Sequence, residues 1–420
     1  MNTNRRFFLT GIGALAASTI AGGAFAQDVI QDILESSRRG NWDDQFDARA
    51  STGGGKISSH RPIFSAETVA YVQQAIGDYS AIVAQGGWQD VPATKKLKLG
   101  VIDPDVEALR RRLMVSGDLS PRAGMSPAFD SYVDAALKRF QVRHGLPSDG
   151  VTGRFTYAAL NISAQTRLGQ LETNLGRLNQ MIGTIASGGR YVLVNIPAAQ
   201  IEAVEGNRVV SRHTAIVGKI DRQTPLVNSR INEVIVNPYW NAPESIVRKD
   251  IIPVMRKDPE YLTKNNIRIL GPNGSEIDPL TIDWSTEDAA KFRFRQDPGK
   301  INAMASVKIN FPSPDGVYMH DTPQQSLFSK LMRFDSSGCV RVQNVRDLVT
   351  WLLRDTDGWN RQRFEDTIRS GENTPVALSN PVPVYFTYIS AWSTGDGVVH
   401  FRDDIYALDG VQELQISTAL

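Results

Sequence analysis

Residues 318–344 read YMHDTPQQSLFSKLMRFDSSGCVRVQN, and they include Cys339, the only cysteine of the 420-residue chain. They also include His320, one of five histidines. A lone cysteine cannot form a disulfide within its own chain, so it serves either packing or chemistry. Gly338 before it permits a tight turn whose amide N–H groups converge on one point. This pattern is typical of an acyl-transfer site, where a thiol nucleophile lies beside donors that stabilise an oxyanion.

Two neighbouring side chains are candidates for the same site. Arg341 lies two residues after Cys339, so in a strand it shares the cysteine's face, where its charge would favour a thiolate or bind a carboxylate. His320 is a candidate general base and needs only spatial proximity to the thiol. The alternative is structural, because a single cysteine is often a small buried apolar residue. The residue types alone leave both interpretations open.

The order of residues in this stretch resembles the signature of the YkuD-type L,D-transpeptidases, and most closely that of their large periplasmic YcbB-like subgroup. The resemblance rests on HDTP at 320–323, on Leu-Phe at 327–328 and on SSGCVRV at 336–342. Most members of the wider family carry Ser-His-Gly-Cys, whereas this chain has Ser337 in place of that histidine. Any role of the second histidine is therefore absent here.

The resemblance implies that the protein cross-links peptidoglycan stem peptides through a thioester on Cys339, with His320 as the base. No cofactor and no metal are expected, and the resemblance implies covalent inhibition by carbapenem-type compounds at the thiol. Two alternatives stay open: a cell-wall cysteine endopeptidase or carboxypeptidase that uses the same thioester, and a non-enzymatic peptidoglycan-binding protein. The acceptor also stays open, since a second stem peptide, a lipoprotein or a free D-amino acid would each supply an amine.

Five further residues are candidates for supporting roles. Gly338 and Cys339 would supply oxyanion donors from the backbone, and Tyr318, two residues before His320, would add another. Arg341 would recognise a substrate carboxylate or support the thiolate. Ser337 would hold the turn or touch the substrate. Trp240 resembles a tryptophan near the family's substrate channel, although aromatic packing alone would also explain it.

Length and composition limit the classes of protein to consider. A chain of 420 residues predicts two or three domains, and 41% hydrophobic residues support a substantial core. The formal net charge of +1 gives no basic field that would attract nucleic acid. Nucleic acid is therefore not an expected partner.

Residues 1–26 have the pattern of an export signal. The segment opens with NRRFFLT at residues 4–10, continues through a run of small and apolar residues, and ends in Ala-Phe-Ala at 24–26. The paired arginines resemble a twin-arginine signal, and an ordinary secretory signal is the alternative. The apolar run is short for a membrane span, so no stable transmembrane anchor is expected and the mature protein is predicted to be periplasmic.

Helical periodicity dominates the first half of the chain. Residues 27–98 are interpreted as a leader with a helical scaffold, and residues 164–188 as a further scaffold helix. Between them, residues 99–163 resemble a three-helix peptidoglycan-binding domain, in which Phe140 and Leu160 would be core residues and Asp149 would brace a turn. A purely structural spacer is the alternative interpretation of that unit.

From residue 189 the apolar period changes to two, which predicts strands. Residues 189–390 are interpreted as the catalytic domain, with a β-sandwich or barrel-like core. The strand pattern is interrupted over residues 243–300, which are interpreted as a helical lid insertion that excludes water from the site. Residues 391–420 are a predicted C-terminal tail, whose His400 lacks the partners of a metal site. The predicted fold class is α+β multidomain.

Overall fold

The structure is a computed structural model that describes residues 60–184, 189–395 and 397–416. The predicted signal peptide and most of the predicted leader lie outside the described residues. Within the described ranges, no helix is both long enough and apolar enough to span a membrane. The predicted α+β multidomain fold class is confirmed, because helical units accompany a closed, barrel-like β-sheet.

Five α-helices precede the first strand in the described part of the chain. Ser65 opens the first of them with a capping box that it shares with Thr68, which satisfies amides that would otherwise lack partners. The first and fifth helices pack together, and Val72, Leu171 and Leu178 are buried in the core that they share. The five helices are α1 (Ala66–Ala84), α2 (Pro104–Val115), α3 (Ser131–Arg143), α4 (Arg154–Asn161) and α5 (Ala164–Met181).

Helices α2, α3 and α4 enclose a core of their own. Phe140 and Leu160 are fully buried in it, as predicted, together with Leu109. The Asp149 carboxylate accepts hydrogen bonds from the amide of Val151 at 2.9 Å and from Gln141 Nε2 at 2.8 Å. Asp149 therefore braces the turn that precedes α4, as the sequence indicated.

Fifteen strands follow within the described residues. Nine of them form one sheet in the order β11-β3-β12-β10-β9-β4-β13-β1-β2, and an additional pairing of β2 with β3 closes it into a barrel. The strands are β1 (Arg190–Asn195), β2 (Gln200–Glu205), β3 (Arg208–Gly218), β4 (Val227–Val236), β5 (Trp240–Ala242), β6 (Ile267–Leu270), β7 (Glu276–Ile277), β8 (Arg293–Gln296), β9 (Val307–Asn310), β10 (Met319–His320), β11 (Phe334–Ser336), β12 (Val340–Val342), β13 (Thr374–Thr387), β14 (Ala391–Ser393) and β15 (Val399–Phe401).

The insertion (residues 243–300) is mixed rather than purely helical. Its helical part comprises α6 (Glu244–Ile246), a π-helical segment (Val247–Ile251), α7 (Ile252–Met255) and α8 (Tyr261–Lys264). Strands β6, β7 and β8 then form a four-stranded sheet with β5. Ile267 and Ile269 alternate with an exposed arginine in β6, which is a strand pattern too short to stand out in the sequence. Their side chains belong to an apolar core separate from that of the barrel.

Inside the barrel, apolar residues at alternating strand positions form a large core. Ile309, Met319 and Val340, from three neighbouring strands, point into it. Helix α9 (Val345–Leu352) packs Leu348 and Val349 against the same core. A second helix, α10 (Arg361–Ser370), contributes Phe364. Because β10 and β12 pack against this core and pair with neighbouring strands, the residues next to them in the chain have defined positions.

The apolar residues at 382–389 predict a last strand, whereas β13 runs from Thr374 to Thr387. A register shift against β4 lies between Ala377 and Val382. Only residues 384–387 also pair with β1, so the first half of β13 is bonded on one side. Pro375 lies in this half, and proline is tolerated in strands that are bonded on one side although it is otherwise unfavourable there.

The predicted tail is instead an integral part of the folded chain. Strands β14 and β15 form a hairpin, and both Trp392 and Phe401 are buried in the core shared with α1 and α5. His400 stacks on Trp392, with ring centroids 5.0 Å apart. The described residues contain no group of three or more His, Cys, Asp or Glu that could hold a metal ion.

Candidate active site

The two ends of the 318–344 stretch meet because β10 and β12 are adjacent and parallel. Met319 lies beside Val340, and His320 lies beside Arg341. The amide of Val340 donates to the carbonyl of Tyr318 at 3.0 Å. Sheet pairing therefore places the segment that carries His320 directly against the segment that carries Cys339.

The cysteine turn (residues 336–339) is held by its own hydrogen bonds. Gly338 has φ of +112°, a conformation that residues with a side chain rarely adopt. The hydroxyl of Ser336 accepts from the Gly338 amide at 3.2 Å and donates to the Cys339 carbonyl at 2.5 Å. The Gly338 amide is thus engaged within the turn. Within the described part of the chain, the Cys339 amide has no such partner.

Cys339 is partly buried, and this burial raises the pKa of its thiol above the ordinary value. The Tyr318 amide and hydroxyl, with Lys308 and Arg341, oppose the shift because they favour a thiolate. As expected from the sequence, the nearby cations lower the pKa of the thiol, but desolvation raises it by more. The raised pKa favours a neutral Cys339 thiol.

His320 is buried, and burial together with the charges of Arg341 and Lys308 lowers its pKa to about 3. Its Nδ1 lies 2.6 Å from the carbonyl oxygen of Asp321. A carbonyl can only accept, so Nδ1 carries the proton and Nε2 keeps a free lone pair. The backbone carbonyl of Asp321 therefore fixes the tautomer of His320 in which Nε2 can accept a proton.

Three basic residues lie side by side on the adjacent strands β9, β10 and β12. Lys308 in β9 pairs with His320 in β10, and His320 pairs with Arg341 in β12. Directly paired residues share a face of the sheet, so the imidazole lies between two cations. This placement accounts for the electrostatic part of the lowered pKa of His320.

Tyr318 links these basic residues to the insertion. Its hydroxyl interacts with both the Cys339 sulfur and the indole of Trp240, and burial raises its pKa so that it stays a neutral donor. The Lys308 Nζ lies 4.3 Å from the centroid of the Tyr318 ring. Trp240 belongs to β5, the first strand of the insertion's sheet. Tyr318 therefore contacts the thiol and also Trp240, which precedes the insertion and packs against its core.

The remaining two predicted residues have polar partners near the turn. Arg341 Nη1 donates to Gln324 Oε1 at 2.9 Å, and burial lowers the pKa of its guanidinium. Ser337 is exposed, and its hydroxyl lies 2.9 Å from Arg222 Nη1. In this structure Ser337 therefore has a bond that holds the turn.

Comparison with known proteins identifies the two folded units. Residues 189–378 match the family model described as "YkuD: L,D-transpeptidase catalytic domain". Residues 189–378 therefore correspond to a YkuD-type L,D-transpeptidase catalytic domain. Residues 103–160 match a second family model, described as "Putative peptidoglycan binding domain".

A curated relative from Haemophilus influenzae, named "Putative L,D-transpeptidase", is 36% identical over 219 residues. The match covers 52% of this chain and 44% of the relative, so the chain spans less than half of the relative's length. Among solved structures, an L,D-transpeptidase from Mycobacterium smegmatis is 13% identical, with 48% of this chain and 59% of the other covered and a TM-score of 0.24. An L,D-transpeptidase from Stackebrandtia nassauensis is 13% identical, covering 70% and 96% of the two chains, with a TM-score of 0.26.

The structure brings six of the seven predicted site residues together around the adjacent strands β10 and β12. These are Tyr318, His320, Ser337, Gly338, Cys339 and Arg341, and Trp240 reaches them through Tyr318. Sequence reasoning missed Lys308 and the Asp321 carbonyl. A lysine between Val307 and Ile309 is a visible signal of one polar strand face. Its place beside the base depends on the pairing of β9 with β10, which the sequence did not reveal.

Proposed function

We propose that the protein is a peptidoglycan L,D-transpeptidase that acts through a thioester on Cys339. One observation carries the proposal: within the matched YkuD region, the Cys339 thiol lies beside Tyr318 and against the strand of a neutral His320 with a fixed tautomer. A nucleophile of this kind, with an adjacent base oriented by a third group, suits acyl transfer.

In the first half-reaction, the Cys339 sulfur attacks the carbonyl carbon of the third residue of a donor tetrapeptide stem. The thiol proton passes to Nε2 of His320 as the C–S bond forms. The C–N bond to the terminal D-alanine then breaks, and the leaving amine takes the proton from His320. The products are a thioester on Cys339 and free D-alanine.

In the second half-reaction, the amine of an acceptor stem attacks the thioester carbonyl. His320 Nε2 accepts a proton from that amine as the new C–N bond forms. The C–S bond breaks, and the thiolate is reprotonated by His320. A cross-link forms and the enzyme returns to its neutral resting state.

The electrostatics support a proton transfer that accompanies attack rather than precedes it. The pKa of the thiol is raised and that of His320 is lowered, so a preformed thiolate–imidazolium pair is disfavoured. Charge develops on sulfur and oxygen only as the carbonyl is attacked. Donors that are already in place then stabilise it without reorganisation.

The oxyanion is assigned to the Cys339 amide, with the Tyr318 hydroxyl as a second donor. The Gly338 amide is a donor only if its bond to Ser336 opens, so its share in this role is smaller than the sequence suggested. Arg341 is proposed to bind a carboxylate of the stem after releasing Gln324. Trp240 is proposed to line the substrate channel.

The donor is proposed to be a peptidoglycan tetrapeptide stem, and carbapenem-type compounds are proposed to acylate the same thiol. Residues 99–163 are proposed to bring the enzyme to the wall, in keeping with the second family match. Peptidoglycan as substrate implies an extracytoplasmic location. We propose the periplasm, reached by the twin-arginine route.

The experiment that tests the function is incubation of the mature protein with purified tetrapeptide muropeptides, followed by mass spectrometry of the products. A dimer linked through the third residue of the donor, with release of D-alanine, supports the transpeptidase. Release of D-alanine with tripeptide alone would indicate the hydrolytic alternative. Unchanged muropeptides would contradict both enzymatic functions.

A further inference from the structure

The loop between β3 and β4, residues 219–226, contacts the cysteine turn at three points. Thr224 Oγ1 donates to the carbonyl of Gly338 at 2.8 Å. Arg222 Nη1 lies 2.9 Å from the hydroxyl of Ser337. The amide of Lys219 donates to the carbonyl of Ser336 at 2.9 Å. The backbone on which Cys339 is mounted is therefore held by this loop as well as by its own sheet.

The base of the β3–β4 loop is rigidly supported. The buried hydroxyl of Tyr406 donates to the carbonyl of Gly218 at 2.6 Å and accepts from the amide of Thr224 at 3.2 Å. A Cβ added to Gly218 would lie 2.2 Å from the carbonyl oxygen of Arg222. Only glycine fits at this position, because the loop folds back closely on β3. The side chain of Arg222, in this loop, is mostly buried.

On its outer side, Arg222 binds the insertion. Its Nη1 and Nη2 donate to the two carboxylate oxygens of Asp250 at 2.5 and 3.0 Å. This two-bond geometry is the strong, directional form of an arginine–carboxylate pair. Asp250 lies in the π-helical segment, between Val247 and Ile251, which are both buried in the insertion's own core. The carboxylate therefore moves with the insertion as a unit.

One guanidinium thus bonds to the insertion and to the cysteine turn at the same time. Asp250 has no contact with the turn except through Arg222, among the contacts of the described residues. We propose that Arg222 is a positioning residue that couples the insertion to the cysteine turn through Asp250 and Ser337. The inference rests on acyl transfer at Cys339 for its catalytic consequence, whereas the mechanical coupling stands independently of it.

The coupling gives the insertion control over the nucleophile. While Asp250 binds the guanidinium of Arg222, Arg222 keeps its hydrogen bond to Ser337. The Cys339 amide then stays directed toward the oxyanion that forms during attack. When the insertion departs, Arg222 loses its anchor and the turn loses one of its three contacts with the loop. Acylation of Cys339 is therefore fastest while Asp250 of the insertion is bound to Arg222.

The test measures hydrogen exchange in peptides that span the cysteine turn of the full chain. Asp250→Ala and Arg222→Met are each expected to raise exchange in these peptides, although residue 250 does not touch the turn. Glu287→Ala is the matched control, because that carboxylate binds Arg248 within the insertion itself. It should leave exchange in the turn at the wild-type rate. Arg222→Lys should restore protection only in part, since an ammonium cannot bind both partners as a fork.

Single-turnover acylation by a tetrapeptide stem provides a second readout. Asp250→Ala is expected to lower the maximal acylation rate about tenfold, with little change in half-saturating concentration, because small misplacements of reacting groups cost rate. Turn exchange that responds to Arg222→Met but not to Asp250→Ala would overturn the coupling, as would no response to either. A wild-type enzyme that is not acylated would contradict the proposed function, while hydrogen exchange would still decide the coupling.

Discussion

At the scale of single residues, the site departs from the usual picture of a cysteine enzyme with an ion pair at rest. The pKa of the Cys339 thiol is raised and that of His320 is lowered, chiefly because both groups are buried. The charges of Lys308 and Arg341 lower both pKa values, because a nearby cation favours a thiolate and disfavours an imidazolium. In the proposed mechanism, the cations keep His320 neutral, and burial keeps the thiol protonated until it attacks.

Lys308 gives a testable consequence of that arrangement. Its charge lowers the pKa of Cys339, so Lys308→Met should raise the thiol pKa further, by about one unit, the size typical of losing one neighbouring charge. The pH profile for alkylation of Cys339 by iodoacetamide should then move toward higher pH. Lys308→Arg should keep the wild-type profile. Lys98→Met, which removes an exposed lysine outside the catalytic domain, is the control.

An unshifted profile in Lys308→Met would show that this lysine does not act on the thiol. A shift toward lower pH would contradict the sign of the argument. Because every pH value uses the same small alkylating agent, the measurement is independent of which stem peptide the enzyme accepts.

At the scale of elements, the insertion is a small folded unit on its own core rather than a set of loose helices. Its two ends are tied together at the barrel, where Asn302 Nδ2 donates to the carbonyls of Pro238 at 3.1 Å and Asp297 at 2.9 Å. Its contacts with the site pass through Trp240 and through the Arg222–Asp250 pair. A unit with its own core and few attachments is suited to move as a body.

We predict that the insertion controls the partition between amine and water. Replacement of residues 243–300 by a short Gly/Ser linker should leave acylation of Cys339 measurable, because the thiol, the base and the barrel core lie outside it. Transfer to an acceptor stem should fall much more than hydrolysis, since water is no longer excluded. The measurement is the ratio of cross-linked dimer to hydrolysed tripeptide. An unchanged ratio in a folded variant would show that the insertion is not a lid.

Some of these elements can be predicted from the sequence, and others cannot. Strands β2, β3 and β4 and helix α9 are predictable from apolar periodicity, because each buries one face against the barrel core. The strands of the insertion are missed, since runs of two to four residues carry too little periodicity. The start of β13 is missed because its prolines are tolerated only where the strand is bonded on one side.

The site residues show the same division. A motif within 27 consecutive residues makes Cys339 and His320 candidates from the sequence alone. Lys308 and Arg222 reach the site from segments separated from it in sequence, through strand pairing and loop packing. Apolar periodicity predicts which face of a strand is buried, but it does not predict which strands are neighbours.

At the scale of the whole described chain, the C-terminal hairpin joins the helical units to the barrel. Arg143 Nη1, at the end of α3, donates to the carbonyl of Val399 at 3.2 Å. Phe401 stacks against His144 at 5.5 Å between ring centroids and meets Tyr79 of α1 edge-on at 5.6 Å. These contacts link residues that are far apart in the chain, which is why the segment resembles a tail in sequence.

Phe401→Ala should therefore destabilise the protein although it lies outside the matched catalytic region. The side chain is 1% exposed, and removal of a buried phenylalanine costs about 3–5 kcal/mol of unfolding free energy. Leu408→Ala is the matched control, because Leu408 is 48% exposed in the same segment. Denaturant unfolding of the two variants checks the prediction. Equal midpoints would mean that the hairpin does not hold the units together.

In the proposed mechanism Cys339 carries the acyl group, and the intact mass of the enzyme during turnover with a tetrapeptide stem donor tests this most directly. We predict a transient mass increase equal to the donor minus D-alanine, located by peptide mapping on Cys339 and removed by hydroxylamine or by an acceptor stem. Cys339→Ala, which removes one small side chain and should fold normally, must show neither the adduct nor the cross-linked product. Cross-linking at the wild-type rate by Cys339→Ala, or an adduct on a different residue, would contradict the account.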